Sequence, residues 1–234
     1  MASLNGENLI GLYDRTEKLL GSEAMDKLKN AKVLVVGLGG VGGYIVEALA
    51  RAGVGTLGLC DFDVVDSTNL NRQILATVPK IGQKKTEVAK DRALNINPNC
   101  NVKIFDFRLD SNKLTELSIL DWTYIADAID DTKAKIALIS EAYSNNVPII
   151  CSMGTGNKLD PFGYKIVPIE KTEGDPLARS IRKQLKDLKI QGIPVLFSPE
   201  KAVVESSAVI PTISYMPAVA GLEIASYIIK EIVK

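Results

Sequence analysis

The chain has 234 residues, 46% hydrophobic and 24% charged, and its 28 basic side chains are balanced by 28 acidic ones. At that length one large α/β domain buries roughly 70% of the surface its unfolded form exposes, enough for an autonomous core. Histidine is absent, which excludes imidazole catalysis, a His-ligated zinc site and a Ser-His-Asp triad, and leaves carboxylates, Lys, Arg, backbone, Cys or a cofactor for any chemistry.

Residues 1–30 carry Leu12, Leu19, Leu20, Met25 and Leu28 among charges, which predicts one or two amphipathic helices. Lys32–Val36 is apolar on both faces, as strands covered by helices are, and runs into Gly37-Leu38-Gly39-Gly40-Val41-Gly42-Gly43 and a helix over Tyr44–Ala52. A strand at Thr56–Asp61, a polar helix at Lys84–Asn95, a strand at Asn101–Phe107 and a helix around Lys113–Leu117 follow. Then come a strand at Tyr124–Asp127, a helix at Thr132–Asn145 and a strand at Val147–Cys151. This alternation predicts an α/β fold with a doubly wound, Rossmann-like, mostly parallel sheet. Beyond Gly154 the expectation is an extension of short, antiparallel strands at Asn157–Pro168 and Ile193–Ser198, a helix at Asp175–Leu188, and a buried helix at Ser214–Ile232. No repeat or linker interrupts the chain, so residues 1–234 read as one domain, divided into 1–30, 31–155 and 156–234.

Cys60, Cys100 and Cys151 form no Cys-x-x-Cys pair, so neither a disulfide framework nor a structural zinc is expected, and a reducing, cytoplasmic setting is. The first residues lack a signal pattern, and apolar runs stay strand-length, so no membrane span is expected.

Gly37-x-Gly39-x-x-Gly42 lies between a strand and a helix, where glycines let backbone N–H groups approach a phosphate. Asp61 ends the second strand, where an acceptor for a ribose hydroxyl belongs. The pair suits NAD as well as ATP, and a tight strand-helix turn alone also uses such glycines. The following loop, Asp61-Phe62-Asp63-Val64-Val65-Asp66-Ser67-Thr68-Asn69-Leu70-Asn71-Arg72-Gln73, is atypical for a dehydrogenase. Arg72 and Lys85 suit a triphosphate, Arg as a fork and Lys as a point charge, although isolated charges are usually solvated.

Gly-x-Gly-Gly-x-Gly, Asp-x-Asp, Asn-x-x-Arg-Gln and Gly-x-x-Lys, in this order, resemble the adenylating family of ubiquitin-activating enzymes and bacterial activators of sulfur carriers. The resemblance runs from Tyr13-Asp14-Arg15 to the last helix. It implies ATP binding, with AMP joined to a substrate carboxylate. By position, Gly37, Gly39, Gly40, Gly42 and Gln73 would line the nucleotide, Gly40 facing the phosphates and Asp61 the ribose. Asn69, Arg72 and Lys85 would hold phosphates and Asp130 would hold Mg²⁺. Arg15 matches an arginine that some relatives donate across a homodimer; an exposed helix charge is the alternative. Asp130 has a second reading as a helix N-cap.

The chemistry agrees with the resemblance. A carboxylate is already deprotonated at neutral pH, so attack on the α-phosphorus needs cations and no imidazole base. Sulfur-carrier activators usually have two Cys-x-x-Cys zinc pairs and ubiquitin activators a late catalytic cysteine, and residues 152–234 contain no cysteine. Ser152–Pro161 and Asp175–Lys186 instead resemble the branch of tRNA threonylcarbamoyladenosine dehydratases, in which the activated carboxylate closes into a ring with net loss of water. That implies a tRNA substrate, with a sulfur-transfer partner also possible in this family. Leu177, Ile181, Leu185 and Leu188 form one helix face, and Arg179, Arg182, Lys183 and Lys186 gather away from it, as phosphate-backbone binding requires and as ordinary solvated faces also do. Leu12, where many relatives have a second arginine, and Asp131, where the family often has Asn or Ser, depart from the pattern. An NAD(P)-dependent oxidoreductase or a nucleotide sensor is the alternative of another class.

Overall fold

A computed structural model describes residues 11–205 and 209–234. The first ten residues of the expected N-terminal helical segment lie outside the described residues.

Among the described residues, seven strands form one sheet: β1 (Lys32–Val36), β2 (Thr56–Cys60), β3 (Asn101–Phe105), β4 (Tyr124–Asp127), β5 (Ile149–Ser152), β6 (Lys165–Pro168) and β7 (Pro194–Phe197), in the order β3-β2-β1-β4-β5-β7-β6. Every neighbouring pair is parallel except β6 with β7. Val33, Leu34, Val35, Leu57, Leu59, Ile125 and Ala126 are fully buried, which explains why β1, β2 and β4 read as continuous apolar runs.

Among the described residues, seven α-helices surround the sheet: α1 (Asp14–Leu20), α2 (Ser22–Asn30), α3 (Gly42–Arg51), α4 (Lys85–Ile96), α5 (Thr132–Ser144), α6 (Pro176–Asp187) and α7 (Tyr215–Val233). Residues of α2, α3, α4 and α7 share one core with one sheet face, and residues of α5 and α6 share another with the opposite face. The doubly wound expectation is met.

Three local expectations change. Residues 113–117 form no α-helix; two short 3₁₀ turns, Leu114–Leu117 and Ile119–Asp121, meet at Ser118 in the left-handed region (φ 47°). The Trp122 indole N–H donates to Leu117 O (2.7 Å) across them. The first late strand is confined to Lys165–Pro168, because Asn157 has φ 58° and its backbone N–H and C=O pair with Pro211 and Val203 instead of a sheet neighbour. The later segment also extends the main sheet: β7 is parallel to β5 and antiparallel only to β6. Finally, α7 buries one face, through Met216, Ala220, Ile224, Ala225 and Ile228, and leaves Leu222 exposed.

Candidate active site

The carboxyl ends of β1, β2 and β4 converge on the glycine loop. Gly37 has φ +89°, and a Cβ there would stand 2.6 Å from Ala128 O; a Cβ at Gly42 would stand 1.8 Å from Gly37 O. No larger side chain fits either place, so the turn can start α3 directly under the loop. Gly40 packs against the last helix. A Cβ there would stand 2.9 Å from Pro217 Cβ, so this glycine admits the start of α7, while Gly39 has only Gln73 Nε2 nearby, at 3.9 Å.

Asp61 stitches the loop. Its Oδ2 accepts from the Leu38 N–H at 2.6 Å and its Oδ1 from the Asp63 N–H at 2.8 Å, leaving each oxygen a lone pair for a further donor. Beside it, the Arg108 guanidinium lies 5.2 Å from the centre of the exposed Phe62 ring. Sequence spacing gave no sign of that contact.

Lys85 opens α4, is buried to 5% exposure, and places Nζ 2.9 Å from Asp63 Oδ2. Asp63 is a site residue not singled out from the sequence, although the Asp-x-Asp spacing held the signal. Asn69 is buried; its Oδ1 accepts from the Asp66 N–H (3.1 Å) and its Nδ2 donates to Thr68 Oγ1 (3.5 Å), which leaves one amide hydrogen and one oxygen lone pair for a ligand. Arg72 donates through Nη1 to Thr68 O (2.9 Å) and Asn71 Oδ1 (2.8 Å), leaving its other guanidinium donors for a ligand. Gln73 is buried beside Gly39, and its Oε1 has no hydrogen-bond partner.

The end of β4 separates two adjacent carboxylates. Asp131 caps α5, accepting at Oδ1 from the Lys133 and Ala134 N–H groups (2.9 and 3.0 Å). Its carboxyl is held below the usual range, chiefly by the Ala134 amide; burial opposes this, and Arg108 and the Lys133 amide add to the lowering. The N-cap reading of Asp130 is therefore corrected: Asp131 caps the helix, and Asp130 is exposed on the turn before it.

A second cluster of loops starts from the end of β5. Gly154 N–H donates to Asp175 Oδ2 (3.1 Å), and Asp175 Oδ1 caps α6 at the Ala178 N–H (2.8 Å). Asn157 grips the segment before α7 through Val204 O (2.7 Å) and Val204 N (2.8 Å), and Asn71 Nδ2 reaches Thr212 O at 3.5 Å. A cavity of about 160 Å³ lies between Leu159, Val203, Val204 and Ile213.

On α6, Arg179, Lys183 and Lys186 are exposed. Arg182 separates from them. Its Nη1 donates to Thr172 O (2.5 Å) and Thr172 Oγ1 (2.7 Å), fastening the helix to the preceding turn. Leu188 is 53% exposed, so the buried face of α6 comprises Ala178, Ile181 and Leu185.

Arg15 is exposed on α1, away from this cluster. Tyr13 O–H donates to Ala50 O (3.4 Å) near the end of α3, the end opposite the glycine loop. The three cysteines are buried, and burial pushes the Cys60 thiol up to about 12, the Cys100 thiol up to about 11 and the Cys151 thiol well above its ordinary value. None has the thiolate character of a nucleophile.

This geometry defines an α/β protein with a nucleotide-type glycine loop, a strand-end acid and a cluster of cations at the carboxyl ends of the central strands. The chain belongs to the ThiF family, whose model matches residues 13–234. It is 35% identical to the tRNA threonylcarbamoyladenosine dehydratase of Bacillus subtilis, covering 95% of this chain and 94% of that protein. It is 37% identical to the Escherichia coli enzyme of the same name, covering 74% and 65%. The structure of that E. coli enzyme, TcdA, in complex with AMP superimposes with a TM-score of 0.91 at 32% identity, covering 99% of this chain and 97% of the other. The same enzyme with ATP gives 0.91 over 97% and 96%. Among the described residues no helix is long and apolar enough to cross a membrane.

Proposed function

We propose that this protein is an ATP-dependent tRNA threonylcarbamoyladenosine dehydratase working in the cytoplasm. The observation that carries the reading is similarity over nearly the full length of both chains to an enzyme of that name with AMP or ATP bound. The buried, unpartnered Gln73 Oε1 beside the open side of Gly39 fits an incoming nucleotide. Phe62 and Arg108 offer a flat stacking surface, one face apolar and one cationic, next to the ribose acceptor Asp61.

In this reading the glycine loop N–H groups face the phosphates, with Asn69, Arg72 and Lys85 around them. The substrate carboxylate attacks the α-phosphorus, pyrophosphate leaves, and an acyl-adenylate forms. A nucleophilic atom of the same threonylcarbamoyl group then attacks the activated carbonyl and AMP departs with the carboxylate oxygen. The product has lost one water and ATP has become AMP and pyrophosphate. Both reacting groups belong to one substrate, so positioning supplies much of the acceleration and no protein nucleophile is needed. The buried cysteines agree with this, and any sulfur-transfer partner would have to engage the chain without thiol exchange.

Asp130 would hold Mg²⁺, which neutralises charge as pyrophosphate leaves. Among the described residues no group of three or more His, Cys, Asp or Glu could hold an ion. The ion would therefore complete its shell with phosphate oxygens and water, as Mg²⁺ commonly does.

The tRNA would lie along Arg179, Lys183 and Lys186 of α6, whose charges remain free of the Thr172 contact that holds Arg182.

The active form would be a homodimer. α1 buries none of its own residues, and Leu19 is 82% exposed. The ten residues of α3, about 15 Å of helix, separate the α1 attachment from the glycine loop, so Arg15 would serve the partner's nucleotide. Leu19→Glu is expected to give monomers in sedimentation, and a dimer of unchanged stability would remove this part of the proposal. For the reaction itself, AMP release with ATP and Mg²⁺ should depend on threonylcarbamoyl-modified tRNA. Release driven instead by a small carrier protein with a Gly-Gly tail, or stabilisation by NAD in preference to ATP, would replace this reading.

A further inference from the structure

Behind the nucleotide contacts lies an ion pair with no exposure on either side: Lys135 Nζ stands 2.6 Å from Asp127 Oδ2, and both side chains are 0% exposed. Asp127 is the last residue of β4 and Lys135 lies in the first turns of α5, so the pair closes the base of the turn that carries Asp130. The same two residues hold that turn at further points. Asp127 Oδ1 accepts from the Ile129 N–H (3.0 Å), and the Lys135 N–H donates to Asp131 O (3.0 Å). Lys135 Nζ also donates to Ser152 O (3.1 Å), the end of β5, from which the substrate-side loop departs. Between these points Ala128 N–H donates to Val36 O (2.8 Å), and Ala128 O lies against Gly37.

Stability alone does not account for this pair. Taking two charges out of water is costly, and a well-packed apolar pair often holds a core as well or better. What an apolar pair lacks is direction: the ammonium has three donors, here used on Asp127 and Ser152, and the carboxylate has two oxygens, here used on Lys135 and Ile129.

We infer that Lys135 is a positioning residue which, through Asp127, fixes the Ala128–Asp131 turn so that Asp130 faces the phosphates of a nucleotide on the Gly37–Gly42 loop. The inference rests on the adenylation reading, in which Asp130 holds the metal. It extends the site inward from groups that meet the ligand to a buried pair that aims one of them.

The test uses Mn²⁺ as a spectroscopic substitute for Mg²⁺, with wild type, Asp130→Ala and the double variant Asp127→Leu with Lys135→Met. The double variant should fold and bind metal-free ATP like wild type, while Mn²⁺ in its ATP complex binds about 10- to 100-fold more weakly, the usual effect of losing a group that orients a metal ligand. Affinity for tRNA should not change. Wild-type Mn²⁺ affinity in the double variant alone would overturn the role of Lys135 and leave adenylation standing. Wild-type affinity in Asp130→Ala would overturn both, since Lys135 would then have nothing to aim. Should the double variant not fold, hydrogen exchange on Lys135→Met decides: the Ile129 amide should lose protection while β4 and α5 keep theirs, and unchanged Ile129 protection would overturn the inference.

Discussion

Lys85 Nζ stands 2.9 Å from Asp63 Oδ2 while Lys85 is nearly buried and Asp63 is half exposed, so a partly solvated acid holds a buried cation in place. In the proposed reaction the lysine exchanges part of that contact for phosphate. Lys85→Met should raise the KM for ATP by about 10- to 100-fold, the scale of a lost charge-assisted hydrogen bond. Asp63→Asn should change it less than about threefold, because a pair with one exposed partner contributes little. Steady-state AMP release checks both, and an equal loss in the two variants would mean that the pair is structural.

The adjacent carboxylates Asp130 and Asp131 should separate function from stability. Asp130→Ala is expected to abolish AMP release and to shift Tm by less than about 2 °C, as surface substitutions do. Asp131→Ala removes the α5 cap and should cost about 1 kcal/mol, or about 2–4 °C in Tm for a chain of this size. Calorimetry beside the activity assay distinguishes them.

Acid should loosen the same helix start. The Asp131 carboxyl is held below its ordinary value, chiefly by the Ala134 amide and then by Arg108 and the Lys133 amide, against burial. Its folded pKa is therefore below its unfolded value of about 3.9, so its contribution is complete above that pH and is lost as pH falls through the folded value. Asp131→Asn, an uncharged cap, should keep Tm near wild type at pH 7 and flatten the decline below about pH 4. An unchanged decline would place the acid sensitivity elsewhere.

The basic face of α6 should divide in the same way. Arg179→Ala with Lys183→Ala and Lys186→Ala should weaken tRNA binding and reduce the slope of log K against log salt by about three, one for each phosphate contact. Arg182→Ala breaks the link to Thr172 and should lower Tm with little change in that slope. Filter binding across a salt series, with ATP affinity as control, measures the effect.

The centre of the sheet was legible because β1, β2 and β4 are apolar on both faces. The glycine loop, Asp61 and Lys85 were legible because their spacing is local to two consecutive strand-loop-helix units, β1 to α3 and β2 to α4. The structure added what spacing cannot carry. Phe62 and Arg108 meet from different strand ends. Arg182 turned from the basic face because Thr172, ten residues earlier, was in reach. Gly40 proved to admit Pro217 from the last helix, a contact across most of the chain. Lys135 did leave a sign, a lysine inside Ala134-Lys135-Ile136-Ala137-Leu138, but its partner became evident only when Asp127 was seen facing it. The turns near Ser118 lacked an apolar period long enough to distinguish an α-helix from 3₁₀ turns.

The most direct measurement is the mass of the nucleosides released from threonylcarbamoyladenosine-containing tRNA after incubation with the protein, ATP and Mg²⁺. The account predicts that this nucleoside loses the mass of one water, with AMP formed in step and no change when ATP is omitted. An unchanged nucleoside mass under conditions where the protein binds ATP would contradict it.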